Sequence, residues 1–340
     1  MAPVLCYHAN PHYSLPETIG LKKTSLRIHL RKWLSVTIAL LAIGLFLDYA
    51  IRNFNKIPPI HWSPESTAIA LFSVVLFVSS IGIIGTIWHF LLRDNGILTS
   101  WKQAQIIFAI AQFGKYLPGN IGQHVGRVVM ARDIGIPAPI ILNTMVVEML
   151  WGAGIGAGLS ILALLLFVDG QVLGLNVNIG PLQLGLGVAL LFFMPWLGIG
   201  FLNKYLPKLA KRLSGGGMIA SPKLLTAVIV AVLFLLCFVI MGLILKLQAQ
   251  WFFGVTKGNV FELTCLFSVA WLAGYLLPGA PAGLGVREAM MVLLLSPVLG
   301  AGTAVGLGIT LRVTTTVGDA VAFMLGLMFK HFNLSGIIKL

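Results

Sequence analysis

Six long apolar runs constrain the fold of this chain most strongly, because each approaches the roughly 20 residues that a membrane-spanning helix needs. With 58% apolar and 10% charged residues among 340, the chain lies outside the range of soluble globular domains. Two further apolar regions, 103–131 and 260–296, are each interrupted by Pro-Gly. We therefore predict an all-α polytopic membrane protein with six spans, at about 33–51, 66–92, 138–168, 181–202, 224–246 and 303–329.

Basic residues are distributed unevenly among the loops between these spans. They gather at 22–32, in the loop 203–223 and at the C-terminus, whereas 169–181 contains none. Cytoplasmic loops carry the excess of Lys and Arg, so both termini and the 203–223 loop are predicted to be cytoplasmic. The net charge of +13 then reflects topology, and no nucleic-acid partner is expected. We expect an integral protein of the bacterial cytoplasmic (inner) membrane.

The domain organisation follows from the same pattern. Residues 1–32 are polar and lack the apolar core of a signal peptide, so they are predicted to form a cytoplasmic segment. Residues 33–330 are predicted to form a single transmembrane domain, and 331–340 a cytoplasmic tail.

The two interrupted regions are predicted to be re-entrant helical hairpins. The limb 104–117 would reach only about 21 Å at 1.5 Å per residue, less than the roughly 30 Å hydrocarbon core. Loop charges do not separate this case from full crossing, because both place every loop on the same side of the membrane.

The hairpins share the pattern G-x-x-L-P-G-x7-R, which predicts an internal repeat. Gly114 and Gly274, like Arg127 and Arg287, are separated by 160 residues. Because the first hairpin would enter from inside and the second from outside, the halves, about 66–168 and 224–329, would form an inverted repeat. In transporters with this architecture, broken helices near the midplane mark the substrate site.

Each Pro-Gly break is expected to begin a new half-helix, near Asn120 in the first copy and Pro281 in the second. A helix N-terminus offers unpaired N–H groups and a partial positive charge, and Arg binds phosphate bidentately. This chemistry predicts a cavity for an anionic headgroup. The predicted substrate-binding residues are Gly119, Asn120, Gln123, His124, Arg127, Glu148, Gly279, Arg287, Glu288 and Arg312, and the structural breaks are Pro118 and Pro278.

A structural interpretation competes with this one. Arg287 could pair with Glu288 or Glu148, and Arg127 could extend to the cytoplasmic surface as an anchor. We expect Glu148 to pair with Arg287 or Arg312. Arg312 and Asp319 are two turns apart on one span, so other helices should supply their partners. The glycine run 152–158 is expected to allow close helix packing.

The segments "KYLPGNIGQHVGR" and "PAGLGVREAMMVLLL" resemble the two signature segments of the lysylphosphatidylglycerol synthase transmembrane, or flippase-like, family. The resemblance covers roughly 30–330 and implies lipid translocation by a stand-alone member. The chain carries Gln123-His124 where members often carry Gly-Asp. No aminoacyltransferase domain follows, so lipid aminoacylation is not expected.

We therefore expect a flippase for an anionic lipid or a polyprenyl-phosphate-linked saccharide. It would have no catalytic or metal-binding residues and no cofactor, and its partners would be membrane lipids and envelope-biosynthesis enzymes. The sequence has no phosphate-binding loop of the G-x4-G-K-[ST] type, which leaves an ion gradient, downhill lipid flow or a partner as the energy source. Two alternatives remain: an intramembrane enzyme acting on lipid phosphates, or a non-transporting subunit of an envelope-lipid pathway.

Overall fold

The computed structural model describes residues 62–116, 121–167, 181–277 and 283–337, with positions 44, 48, 51, 59 and 60 before them. This part of the chain contains helices and no strand. A 3-10 turn, Phe113–Tyr116, follows the second helix. The helices are α1 (Pro64–Asp94), α2 (Trp101–Gln112), α3 (Gly122–Asp133), α4 (Ala138–Leu166), α5 (Pro181–Tyr205), α6 (Pro207–Leu213), α7 (Leu224–Phe253), α8 (Val260–Leu276), α9 (Val286–Leu299) and α10 (Ala301–Ile337).

Four of these helices are long and apolar enough to cross a membrane: α1, α4, α7 and the Ala301–His331 part of α10. They confirm the predicted spans 66–92, 138–168, 224–246 and 303–329. The predicted span 181–202 lies within α5, which is not among the four. The predicted span 33–51, the segment 1–32 and the loop 169–180 lie outside the described residues, apart from positions 44, 48 and 51.

Side-chain caps fix where several helices begin. Ser63 and Ser66 form a capping box at the start of α1, and Ser100 and Gln103 form one at the start of α2. Each box satisfies two backbone N–H groups that a helix start leaves unpaired. Asn259 caps α8 by accepting from the Glu262 backbone N–H. These polar starts separate the apolar helices from the loops that precede them.

The connections between helices collect at two ends of the bundle. At one end, the Lys223 N–H donates to Asp94 at 2.7 Å and the Ala220 N–H donates to Asn143 at 2.9 Å. These bonds bring together the end of α1, the start of α4 and the segment before α7. We call this the Asp94 end.

The opposite end, which we call the Trp62 end, is marked by aromatic contacts. Trp62 lies 6.4 Å from Phe252, measured between ring centroids, and Phe167 lies 5.8 Å from Phe261. These pairs join the start of α1 to the end of α7, and the end of α4 to the start of α8. The three long helices α1, α4 and α7 therefore each run from one end to the other.

Helix packing links the first and second parts of the chain. The helix α1 packs against α7, α2 against α10, and α4 against α8. Glycines permit close approach: a Cβ on Gly242 would lie 2.8 Å from the Thr264 backbone nitrogen, and one on Gly154 would lie 2.8 Å from Pro195 Cγ. The predicted role of the 152–158 glycines in close packing is confirmed for Gly152, Gly154 and Gly156, in line with the preference for small residues between membrane helices.

Candidate functional site

Arg127 on α3 and Glu148 on α4 form a closed ion pair inside the bundle. The two terminal nitrogens of Arg127 donate to the two carboxylate oxygens at 2.7 and 3.2 Å. The guanidinium carbon lies 5.2 Å from the Trp88 ring centroid and 4.5 Å from that of Phe108. Only 4% of Arg127 is exposed. Fork geometry and aromatic faces both favour the charged guanidinium, so Glu148 and the two rings stabilise the positive charge of Arg127.

The prediction that Glu148 pairs with Arg287 or Arg312 is wrong. The helix α4 packs directly against α3, which brings the Arg127 side chain to Glu148. Arg287 and Arg312 instead lie beside Glu288. Ion-pair partners in a helical bundle depend on which helices are neighbours, and the sequence pattern does not contain that information.

A second group of charges surrounds Glu288 at the start of α9. Its Oε1 atom lies 3.5 Å from Arg312 Nη1 and 3.8 Å from Arg287 Nη2. Its Oε2 atom accepts from the Gly285 backbone N–H at 2.7 Å. Both arginine contacts are longer than those of the Arg127 pair. The Nε atoms of both Arg287 and Arg127 are buried without a hydrogen-bond partner, so the two arginines differ in the length of their carboxylate contacts. Arg287 is therefore bound less tightly by the protein than Arg127 is.

The start of α9 differs from the predicted half-helix. Gly283 and Gly285 have φ angles of 69° and 84°, in the left-handed region that glycine adopts without strain, and the helix begins only at Val286. The predicted half-helix start near Pro281 lies outside the described residues. The Glu288 carboxylate accepts from the N–H of Gly285, the residue that precedes this helix. The sequence predicted that N–H groups at this helix start would be open to substrate.

Asp319 on α10 holds a third set of contacts. The Lys115 ammonium lies 2.7 Å from Asp319 Oδ1, and the Tyr116 hydroxyl donates to Oδ2 at 2.5 Å. The Asp319 side chain is 1% exposed and that of Lys115 is 14% exposed. Lys115 and Tyr116 were not among the predicted site residues. A lysine inside an apolar region, three residues before a Pro-Gly break, is the signal that could have identified them.

The second and third groups lie close together. Arg312 lies 6.0 Å from the centroid of the Tyr116 ring, and Lys115 interacts electrostatically with Arg287 and Arg312. We call Lys115, Arg287 and Arg312 the cation cluster. Two carboxylates, Glu288 and Asp319, lie among its three cations.

The cation cluster lies near the middle of a span. Arg312 and Asp319 fall on either side of position 316, the centre of the spanning stretch Ala301–His331. At 1.5 Å per residue, both lie within about 6 Å of that centre along the helix axis. Charges at this depth in a membrane are costly, and they are a mark of function.

The structure describes some of the remaining predicted residues of the first hairpin. The Gln123 side-chain amide lies 3.3 Å from His124 Nε2, and His124 Nδ1 is buried without a hydrogen-bond partner. The structure does not describe residues 117–120 or 278–282. The predicted residues that lie outside the described part of the chain are Pro118, Gly119, Asn120, Pro278 and Gly279.

Equivalent glycines lie against the returning limb in both hairpins. A Cβ on Gly114 would lie 2.6 Å from the Gln123 backbone nitrogen. A Cβ on Gly274 would lie 3.4 Å from Gly283 Cα. Gln123 and Gly283 are themselves 160 residues apart, the same separation as the two glycines. The two limbs of each hairpin therefore approach at the same position of the shared motif.

Comparison with known proteins gives a family but no individual relative. A family profile described as "Lysylphosphatidylglycerol synthase TM region" matches residues 32–322. No curated protein matches the chain. The matched region contains both hairpins, all four candidate spans up to residue 322 and every charged residue of the site. The chain is therefore an integral membrane protein that belongs to the lysylphosphatidylglycerol synthase transmembrane-region family.

Proposed function

We propose that this protein moves an anionic lipid, or a polyprenyl-phosphate-linked saccharide, between the two leaflets of the membrane. The observation that carries the proposal is the cation cluster, in which Lys115, Arg287 and Arg312 lie near the middle of a span. A phosphate group that crosses the hydrocarbon core needs compensating charge at that depth. Arginine and lysine side chains supply it as hydrogen-bond donors.

We also propose that the two halves form an inverted repeat, which agrees with this function. The two halves have corresponding packing partners. The helix α2 of the first half packs against α10 of the second, and α8 of the second half packs against α4 of the first. Within each half, α3 packs against α4 and α9 packs against α10. The close approaches at Gly114 and Gly274 follow the same exchange. Two equivalent halves around a central site are what alternating access requires.

We further propose that both hairpins are re-entrant. Lys115, at the end of the first hairpin's first limb, contacts Asp319, and Glu288, at the start of the second hairpin's return limb, contacts Arg312. Both contacts fall near the middle of α10. In the second hairpin, Leu299 lies against Gly258, so this hairpin begins and ends at the Trp62 end. With the Asp94 end cytoplasmic, the hairpins would approach the midplane from opposite sides.

In the proposed mechanism, the cation cluster receives the lipid phosphate while the acyl or prenyl tail stays in the hydrocarbon. Relative movement of the two halves then exposes the cluster first to one leaflet and then to the other. Arg287 is the first candidate to contact the phosphate, because its ion pair with Glu288, at 3.8 Å, is longer than the 2.7 Å pair of Arg127 with Glu148. The closed Arg127–Glu148 pair would hold the first hairpin against α4.

The test is lipid flipping in proteoliposomes with fluorescent phosphatidylglycerol, comparing wild type, Arg287→Ala and Lys208→Ala. Lys208 is an exposed residue of α6, so its loss should change nothing. We expect wild type and Lys208→Ala to flip equally and Arg287→Ala to lose most of the flux. Equal flux in all three would contradict the assignment of the site.

The same vesicles distinguish the two alternatives. Mass spectrometry of the lipids would detect a chemical change, which an intramembrane enzyme would produce and a flippase would not. Wild-type protein that neither flips nor binds anionic lipid, but copurifies with an envelope-lipid enzyme, would indicate a non-transporting subunit.

A further inference from the structure

We propose that Lys115 is a direct ligand of the substrate phosphate and that Asp319 competes with the phosphate for it. This inference rests on the proposed function and concerns the same site. Its starting point is the buried contact between the Lys115 ammonium and Asp319, 2.7 Å long. That contact joins the innermost described part of the first hairpin to the middle of α10, across 204 residues of sequence.

The charged groups around Asp319 determine how strongly Lys115 is attracted to the Asp319 carboxylate and to a phosphate. The 3-10 turn contributes Lys115 and Tyr116, α9 contributes Arg287 and Glu288, and α10 itself contributes Arg312. Uncharged groups from other helices also pack against α10.

Those uncharged groups are identified by their contacts with α10. From α7, Gln248 bonds to Thr310 and Thr314, and from α1, Phe77 lies against Gly318. The five charged groups named above are three cations and two carboxylates. One phosphodiester, with a single negative charge, would balance them.

Lysine is the member of the cluster best able to change partners. An ammonium on a flexible four-carbon stem makes rotatable bonds, whereas a guanidinium binds through a fixed planar fork. Lys115 can therefore turn from the Asp319 carboxylate to a phosphate oxygen, while Arg287 and Arg312 stay in place. When it turns, the contact between the first hairpin and α10 loses its ion pair and keeps the Tyr116 hydrogen bond and the stacking of Phe113 on Phe323.

Phosphate binding would in this way weaken a contact between the two halves. A ligand shifts a conformational equilibrium only if it binds one state more tightly than the other. Competition for Lys115 provides such a difference, because the phosphate gains a cation only in the state where Asp319 has released it.

The experiment measures the affinity of detergent-solubilised protein for dihexanoyl phosphatidylglycerol by the thermal shift that the lipid produces. Lys115→Met removes the ligand, and we expect about tenfold weaker binding, the scale of one charge-assisted hydrogen bond. Asp319→Asn removes the competitor and keeps the side-chain shape, so we expect binding several-fold tighter than wild type. A purely structural ion pair would make both variants bind more weakly, or leave both unchanged, and either result overturns the inference.

Matched variants control for the loss of a lysine or an aspartate elsewhere. Lys246→Met removes a lysine that donates to the Thr256 carbonyl near the Trp62 end, and Asp94→Asn alters the loop bond to Lys223. Both should bind the lipid as wild type does. If Lys115→Met does not fold, the double variant Lys115→Met, Asp319→Leu replaces it, since a buried ion pair can be exchanged for apolar side chains. It should also bind about tenfold more weakly.

Two further arms separate this inference from the proposed function. Inorganic phosphate tests whether the free anion competes with the lipid, and dihexanoyl phosphatidylcholine tests whether a zwitterionic headgroup is accepted. Wild-type protein that binds and flips phosphatidylglycerol, with Lys115→Met and Asp319→Asn unchanged, would remove Lys115 from the site and leave the flippase proposal intact. Wild-type protein that binds no phospholipid at all would overturn both.

Discussion

Arg127 donates two hydrogen bonds to Glu148, at 2.7 and 3.2 Å, whereas the equivalent Arg287 lies 3.8 Å from its carboxylate. The motif is shared by both hairpins, yet its two arginines are in different electrostatic states. The first is neutralised by a neighbouring span, and the second belongs to a cluster with more cations than carboxylates. The two hairpins therefore share a motif and a close approach of their limbs, but their arginines have different chemistry.

Glu148→Gln should destabilise the protein strongly. The substitution leaves the Arg127 charge buried without its carboxylate, a change that costs about 3 to 5 kcal/mol in buried pairs. SDS titration of the detergent-solubilised protein measures the effect. The double variant Arg127→Met, Glu148→Leu should recover most of the loss, because it removes both charges. A double variant no more stable than the single one would show that the pair does more than neutralise charge.

Gly114→Ala should disturb the first hairpin, and Gly126→Ala should not. At position 114 the new methyl group would lie 2.6 Å from backbone atoms of Gly122 and Gln123, which cannot move aside without separating the limbs. At position 126 the nearest atom is Ala111 Cβ at 3.6 Å, an ordinary contact. We expect a loss of about 2 kcal/mol for the first change, typical of overpacking, and near zero for the second. Thermal unfolding in detergent compares them, and equal stabilities would contradict the close approach.

Gln248→Leu should weaken the packing of α7 against α10. Gln248 accepts from Thr310 at 2.9 Å and donates to Thr314 at 2.8 Å, and it is fully buried. Hydrogen bonds between membrane helices contribute about 0.6 to 2 kcal/mol, so a loss of that size is expected in SDS titration. The exposed neighbour Gln250 provides the control, because Gln250→Leu removes no such bond and should leave stability unchanged.

The Asp94 end should face the cytoplasm. With Cys6, Cys237 and Cys265 first replaced, Lys208→Cys on α6 and Lys257→Cys after α7 place single thiols on opposite sides. In intact cells a membrane-impermeant maleimide should label position 257 and not position 208, because basic loops stay inside. Both positions should react after the cells are opened. Labelling of position 208 in intact cells would reverse the topology.

Long apolar runs made the main spans predictable, because a helix is the structure that satisfies every backbone group in lipid without help from other segments. The spans at 66–92, 138–168, 224–246 and 303–329 could therefore be predicted from the apolar runs of the sequence alone. The ion pairs were harder to predict. Lys115 and Asp319 are separated by 204 residues, and Glu148 finds its cation through the packing of α3 on α4.

The start of α9 shows another limit of local pattern. Pro281, which fits the preference for proline in a first turn, lies outside the described residues, and Gly283 and Gly285 adopt positive φ angles just before the helix that begins at Val286. The two glycines determine where α9 starts, because the Gly285 N–H donates to the Glu288 carboxylate and this bond caps the helix. That contact requires the turn geometry, which residue preferences alone do not specify.

Arg312 and Asp319 are seven residues apart on α10, so they lie on the same face of that helix, about two turns from one another. One face of a single helix is thus in contact with both hairpins, at Glu288 and at Lys115. A rotation of α10 about its own axis therefore changes the contacts of both hairpins together. Through this one helix, the last span can transmit the position of one hairpin to the other.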